Sequence, residues 1–231
     1  MADPDAPQFL HFSFYRTDPA WRRQPAKERE AGKREFIAAV EEWAPRVKSL
    51  PYSTTGLRAE TDLLLWRFAA SLDDLQAHAA ALQRTGLGRW LEMRYGFLAM
   101  ARPSPYVADH RHSGQEGTMS RVEPAGRKYL FVYPFVKTHD WYQLPPAERM
   151  RMMKEHIAMG HKHPSVKNNT SYSFGLDDHE FMVAFETESP ADFLALVEGM
   201  RTLETRKYTL RDTPIISCIR KPLKECLEDL G

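Results

Sequence analysis

The stretch 62–75, DLLLWRFAASLDDL, and the stretch 180–193, EFMVAFETESPADF, decide the fold, because they repeat one pattern at a spacing of 118 residues. Each begins as an apolar, aromatic-containing strand. Each then reaches a serine, Ser71 or Ser189, followed three residues later by Asp74 or Asp192 at the start of a helix. A serine hydroxyl there accepts from the free amides of the first turn, and the carboxylate suits the positive helix end. A shift of 120 extends the match upstream, laying Phe9 and Leu10 on Tyr129 and Leu130, and Trp21 on Trp141. A helical stretch rich in Ala, Glu and Arg follows each tryptophan. The chain therefore carries a weak internal repeat.

Working outward, alternating or continuous apolar runs predict strands at Phe9–Tyr15, Leu63–Phe68, Leu91–Ala101, Tyr129–Phe135, Thr170–Phe174, Phe181–Phe185 and Pro214–Ile219. Helices are expected at Ala26–Val47, Leu72–Gln83, Pro146–Met159 and Ala191–Leu203. Pro145 and Pro146 open the third helix, where a missing N–H costs nothing, and Gly160 is expected to close it. Each half then approximates β-α-β-β-α-β, which makes the fold class α+β with two ferredoxin-like halves. The halves are 1–101 and 128–231. Between them, 102–127 reads as a linker with three prolines, three glycines and two histidines, which either covers a site or spans a surface.

Composition narrows the function classes. Of 231 residues, 42% are hydrophobic and 27% charged, with a formal net charge of +1. That balance gives no reason to expect nucleic acid or an anionic membrane as partner. No apolar run approaches the roughly 20 residues of a membrane span. The start, Met1 to Gln8, has neither a basic nor an apolar signal region. Cys218 and Cys226 make no disulfide framework and lack metal-site spacing, so a reducing cytoplasm is the expected location.

The residues able to carry chemistry gather between Tyr133 and Asp178. His156 sits late in the third helix, with Met152 at i−4 and Met159 at i+3, so its imidazole projects from an oily stripe. Neutral nitrogen, apolar surroundings and rigid backbone suit an axial haem ligand, and equally suit a core histidine bonded to a carbonyl. Glu204 is a candidate to take the second ring N–H of such a ligand, or else a solvated helix-end carboxylate. Tyr133 and Lys137 stand four apart at the end of a strand, and Pro134 suggests that the strand is leaving its ladder there. A phenol beside an ammonium group is suited to redox chemistry, or is one more strand aromatic. Trp141 has its counterpart in Trp21, which leaves a packing role open for both. Asp109, His110 and His112, in the linker, have a spacing a metal could use, or are solvated groups of a polar loop.

Taken in order, YPFVK at 133–137, DWY at 140–142, EH at 155–156 with Gly160, SFGLDD at 173–178, ETR at 204–206 and DTP at 212–214 resemble the chlorite dismutase-like superfamily. The likeness is to its coproheme decarboxylase branch, and GRWLE at 88–92 adds to it. The resemblance implies two ferredoxin-like halves forming a dimeric α+β barrel within one chain, assembled as a homopentamer. It implies His156 as the proximal ligand of haem iron, Glu204 behind it, Tyr133 as a redox-active tyrosine, Lys137 as its partner, and Trp141 near the porphyrin. Met152, on the same helix face as the ligand, and Asn168 are expected to bind the cofactor as well. Chlorite dismutases place an arginine about thirteen residues after that histidine. Here Asn168 stands there with Asn169 beside it, and asparagine supplies no charge for a chlorite-derived oxyanion. Actinobacterial decarboxylases carry a distal histidine upstream of the tyrosine, a role that falls here to His110, to His112 or to no residue.

The resemblance thus implies a peroxide-dependent decarboxylation of iron-coproporphyrin III (coproheme) to haem b, with coproheme and hydrogen peroxide as partners. Arg121 and Arg127 are the first guesses for groups that hold its propionates. Three alternatives stay open: a haem carrier or sensor on the same fold, a chlorite dismutase, and a barrel protein without haem in which His156 is core.

Overall fold

The computed structural model describes residues 6–106 and 121–231, and the chain divides into two compact units, 1–100 with 217–231, and 101–216. In the first unit the order is β1 (Phe9–Thr17), α1 (Ala26–Trp43), β2 (Val47–Ser53), β3 (Leu63–Ala69), α2 (Leu72–Arg84) and β4 (Leu91–Met100). Its strands pair antiparallel in the order β4-β1-β3-β2. β3, LLLWRFA, is buried along its whole length, as suits a strand flanked on both sides and covered by helices.

The second unit runs β5 (Tyr129–Lys137), α3 (His139–Gln143), α4 (Pro146–His161), β6 (Val166–Tyr172), β7 (Phe181–Thr187), α5 (Pro190–Arg201) and β8 (Thr209–Arg211). Its strands pair as β6-β7-β5-β8, the order of the first unit read from the other edge. Both quoted repeats do what their pattern predicts. Ser71 Oγ accepts from the Asp74 amide at 3.1 Å, and Ser189 Oγ from the Asp192 amide at 3.3 Å.

The chain closes with β9 (Ile216–Arg220) and α6 (Leu223–Glu228). From Ser217 on, this segment groups with the first unit, whereas the sequence reading kept all of 128–231 together. The cause is burial: Cys226, Leu227 and Leu230 pack with Tyr15, Trp21, Phe36, Leu63, Leu82 and Leu87 in one core. Each large apolar side chain so buried contributes about 1.5–3 kcal/mol. The core of the second unit gathers Val166, Phe193 and Leu196 with Phe131, Tyr133, Met159 and Phe185, and Phe131 stacks on Phe193 at 4.1 Å.

Three expectations need correction. α1 ends at Trp43 rather than Val47: Ala44 still has helical backbone as the cap, but Pro45 has no N–H with which to continue the ladder, and the chain then extends into β2, which the reading had missed. α4 passes through Gly160 to His161, with Lys162 as its cap. β5 does not leave its ladder at Pro134, since register with β7 continues through Phe135 and Phe181. Proline removes one donor only, and the neighbouring residues keep the pairing. Among the described residues no helix is long and apolar enough to cross a membrane.

Candidate functional site

One cleft in the second unit collects the residues of interest. Tyr133, Phe135 and Lys137 reach it from β5, His156, Ile157 and Gly160 from α4, and Asn168 from β6. Phe185 of β7, Leu196 and Arg201 of α5, and Arg206 and Asp212 beyond it complete the wall. Its empty space, open mouth included, is about 1340 Å³. Gly160 follows His156 by one turn on the same helix face, and a Cβ there would find only Met200 Cε at 4.0 Å. The missing side chain leaves the space beside the imidazole open.

His156 is the centre of this wall. Its Nδ1 is buried and has no hydrogen-bond partner among the described residues. Burial first, and then the charge of Lys137, push its pKa down to about 4, so the ring is neutral at pH 7 and keeps a lone pair to offer. Lys137 Nζ lies 4.2 Å from the centre of the Trp141 ring and donates to the Thr205 carbonyl at 3.4 Å. Burial, and then Arg206, bring its pKa down to about 8, with Glu180 acting in the opposite sense. Lys137 also donates its backbone N–H to Glu180 at 2.7 Å, which fixes the end of β5. Tyr133 packs against Phe185 at 6.0 Å between ring centres. Its phenol is held above its ordinary pKa by burial and then by Asp212, while Arg201 and Arg206 pull the other way.

The structure therefore brings Tyr133, Lys137, His156 and Asn168 to one cleft, with the buried Trp141 against Lys137. It leaves others out. Met152, 1% exposed, is packed into the interior and is not part of the cleft wall. Glu204 sits on the surface, where it accepts from Arg151 at 2.7 Å and lies 3.7 Å from Lys207; no hydrogen bond joins it to His156. The reason is its place: the turn Glu204–Tyr208 directs Thr205 and Arg206 to the cleft and Glu204 away from it. Arg127 is tied to the Ser165 carbonyl, and neither it nor Arg121 lines the cleft. Asn169, next to Asn168, turns into the interior and donates to Ala184 O at 3.2 Å and Glu186 Oε2 at 2.9 Å. Asp109, His110 and His112 lie outside the described residues.

Sequence reasoning gave no site role to Arg201, Arg206, Asp212 or Gly160. Arg201 closes α5, and Arg206 and Asp212 fall in the non-periodic stretch after it, where only the ETR and DTP motifs marked them. Chemically, the wall combines aromatic and aliphatic surface with one neutral imidazole and a cationic side. Among the described residues Asp212 is the only carboxylate lining it, against Lys137, Lys167, Arg201 and Arg206. Such a surface suits a flat apolar ring that carries acidic substituents.

The chlorite dismutase family model matches residues 29–221. The chain belongs to the chlorite dismutase family. Within it, the chain is 32% identical over 183 residues to the coproheme decarboxylase of Mycolicibacterium smegmatis, covering 79% of this chain and 76% of that one. It is 24% identical over 227 residues to the chlorite dismutase of Ideonella dechloratans, covering 96% and 80%. Among solved structures, a point variant of the chlorite dismutase from Candidatus Nitrospira defluvii matches with a TM-score of 0.89 at 27% identity, covering 98% of this chain and 96% of that one. The same protein in complex with imidazole matches with a TM-score of 0.88 at 27% identity, covering 96% and 94%. The mixed α+β architecture with antiparallel sheet is thus the chlorite dismutase fold.

Proposed function

We propose that this protein is an oxidoreductase that decarboxylates propionates of iron-coproporphyrin III with hydrogen peroxide, giving the vinyl groups of haem b. One observation carries the reading: the neutral imidazole of His156 and the phenol of Tyr133 share a cleft lined by the cations Lys137, Lys167, Arg201 and Arg206 against the carboxylate of Asp212. The 32% identity to a coproheme decarboxylase supports it. The residues fit an iron porphyrin. His156, whose Nδ1 lacks a partner among the described residues, would hold the iron, and Phe135, Ile157, Phe185, Leu196 and Met200 supply the apolar lining that a porphyrin ring would need. Trp141 is buried behind the cleft wall, against Lys137.

When bound, the iron porphyrin supplies the two-electron chemistry with peroxide. Per propionate the balance is one CH2–CH2–COOH and one H2O2 giving one vinyl, one CO2 and two H2O. Tyr133, in the same cleft as the cationic residues, would give its hydroxyl hydrogen atom to the peroxide-derived oxidant and take one back from the propionate β-carbon; the second electron would pass to the same oxidant as CO2 leaves and the vinyl forms. The raised pKa of the phenol keeps its hydrogen in place at neutral pH. Lys137 attracts the carboxylate by charge and hydrogen bond, and its stem is held by Trp141 and the Thr205 carbonyl. Asn168 offers an uncharged amide where chlorite dismutases are expected to place a guanidinium.

Tyr133→Phe tests the assignment. The variant is expected to bind coproheme as the wild type does and to lose nearly all vinyl formation, read by mass of the extracted porphyrin. Substantial vinyl formation by this variant would remove the tyrosine from the mechanism. Family resemblance further suggests a homopentamer, which light scattering would show as five times the chain mass.

A further inference from the structure

Arg201 leaves the last turn of α5, and Arg206 belongs to the turn Glu204–Tyr208. Each donates from its own Nη1 to the same acceptor, Oδ2 of Asp212, at 2.7 Å. The side chain of Asp212 is 14% exposed, while the arginines keep 39% and 38% of theirs open. The three therefore form a fork with its hinge in the wall and its tines toward the cleft. A guanidinium has five N–H donors, so each arginine has donors left after serving Asp212. Tyr133 is close enough that all three charges act on its phenol.

Resting on the reading that the cleft takes coproheme, we propose that Asp212 is a positioning residue that holds Arg201 and Arg206 as a receptor for one substrate carboxylate beside Tyr133. Arginine side chains lose much rotamer freedom when they clamp a ligand, and a prior anchor removes most of that loss from the binding step. Two guanidinium groups sharing the single Oδ2 of Asp212 retain a surplus positive charge, and their planar donors match a second carboxylate. The arrangement selects for a porphyrin with a carboxylate at that edge. Conversion of the propionate to a vinyl deletes the acceptor, so the same fork ceases to hold the product.

The test uses metal-free porphyrins, which separates the fork from any bond between His156 and iron. Coproporphyrin III, with four carboxylates, and protoporphyrin IX, with two, are titrated by quenching of tryptophan fluorescence. The wild type is expected to prefer coproporphyrin III. Asp212→Ala is expected to weaken coproporphyrin III about tenfold, the loss of roughly one charge-assisted hydrogen bond, with little change for protoporphyrin IX. Asp212→Glu should restore part of the preference. Equal weakening of both porphyrins would make Asp212 merely structural, and tighter coproporphyrin III binding by Asp212→Ala would make it a competing anion; either overturns the proposal. If Asp212→Ala does not fold, Arg201→Met removes one tine and must lower the same preference. A wild type that binds neither porphyrin would instead overturn the reading of the cleft itself.

Discussion

His156 owes its chemistry to what surrounds it rather than to its own helix. An imidazole with a buried, unpartnered Nδ1 and a pKa near 4 is a neutral donor throughout the physiological range. His156→Ala is therefore expected to leave binding of metal-free coproporphyrin III nearly unchanged. The same variant should lose the absorption spectrum of imidazole-bound iron porphyrin and regain it when imidazole is added. Unchanged spectra in His156→Ala would show that iron is held elsewhere. At this scale the sequence was readable in part. Tyr133, Lys137 and His156 stood out because a phenol, an amine and an imidazole on predicted elements are chemically conspicuous, and the family pattern ordered them. Glu204 was misplaced because a carboxylate at a helix end carries no sign of which way its turn faces. Its pairing with Arg151 depends on a contact 53 residues away, which no local pattern encodes.

The elements were legible wherever local chemistry decided them. The serine caps of α2 and α5 are local, and Ser189→Ala is expected to cost about 0.5–2 kcal/mol, measured by denaturant unfolding. β2 was not legible, since KSLPYS has polar residues and a proline, and only pairing with β3 from Val47 to Ser53 makes it a strand. Close packing between elements is equally hidden. Gly32 in α1 lies so near the chain after α2 that a Cβ would stand 2.7 Å from Leu87 N and 3.0 Å from Gly86 C. Alanine is ordinarily the better helix former. Here the clash is with backbone, so Gly32→Ala is expected to destabilise by about 1–3 kcal/mol. A higher melting temperature for that variant would mean that α1 can shift without cost.

Over the whole molecule, stability should depend on mild acid through a histidine far from the cleft in sequence. His78 is 0% exposed, and burial followed by the charge of Arg67 lowers its pKa from 6.5 to about 4. The unfolded chain therefore takes up this proton before the folded one as pH falls. Stability is complete above about pH 6.5 and is lost progressively down to about pH 4, by at most on the order of 3 kcal/mol. His78→Leu should flatten that part of the stability curve; an equally steep curve would exclude His78 as its source. Function at this scale rests on one claim, that the cleft of the second unit turns propionates into vinyls. The most direct measurement is to load the wild type with iron-coproporphyrin III, add hydrogen peroxide stepwise, and weigh the extracted porphyrin at each step. The account predicts successive losses of CO2 and two hydrogens per propionate, ending at haem b. An unchanged porphyrin mass with peroxide consumed, or bleaching without vinyl products, would contradict it.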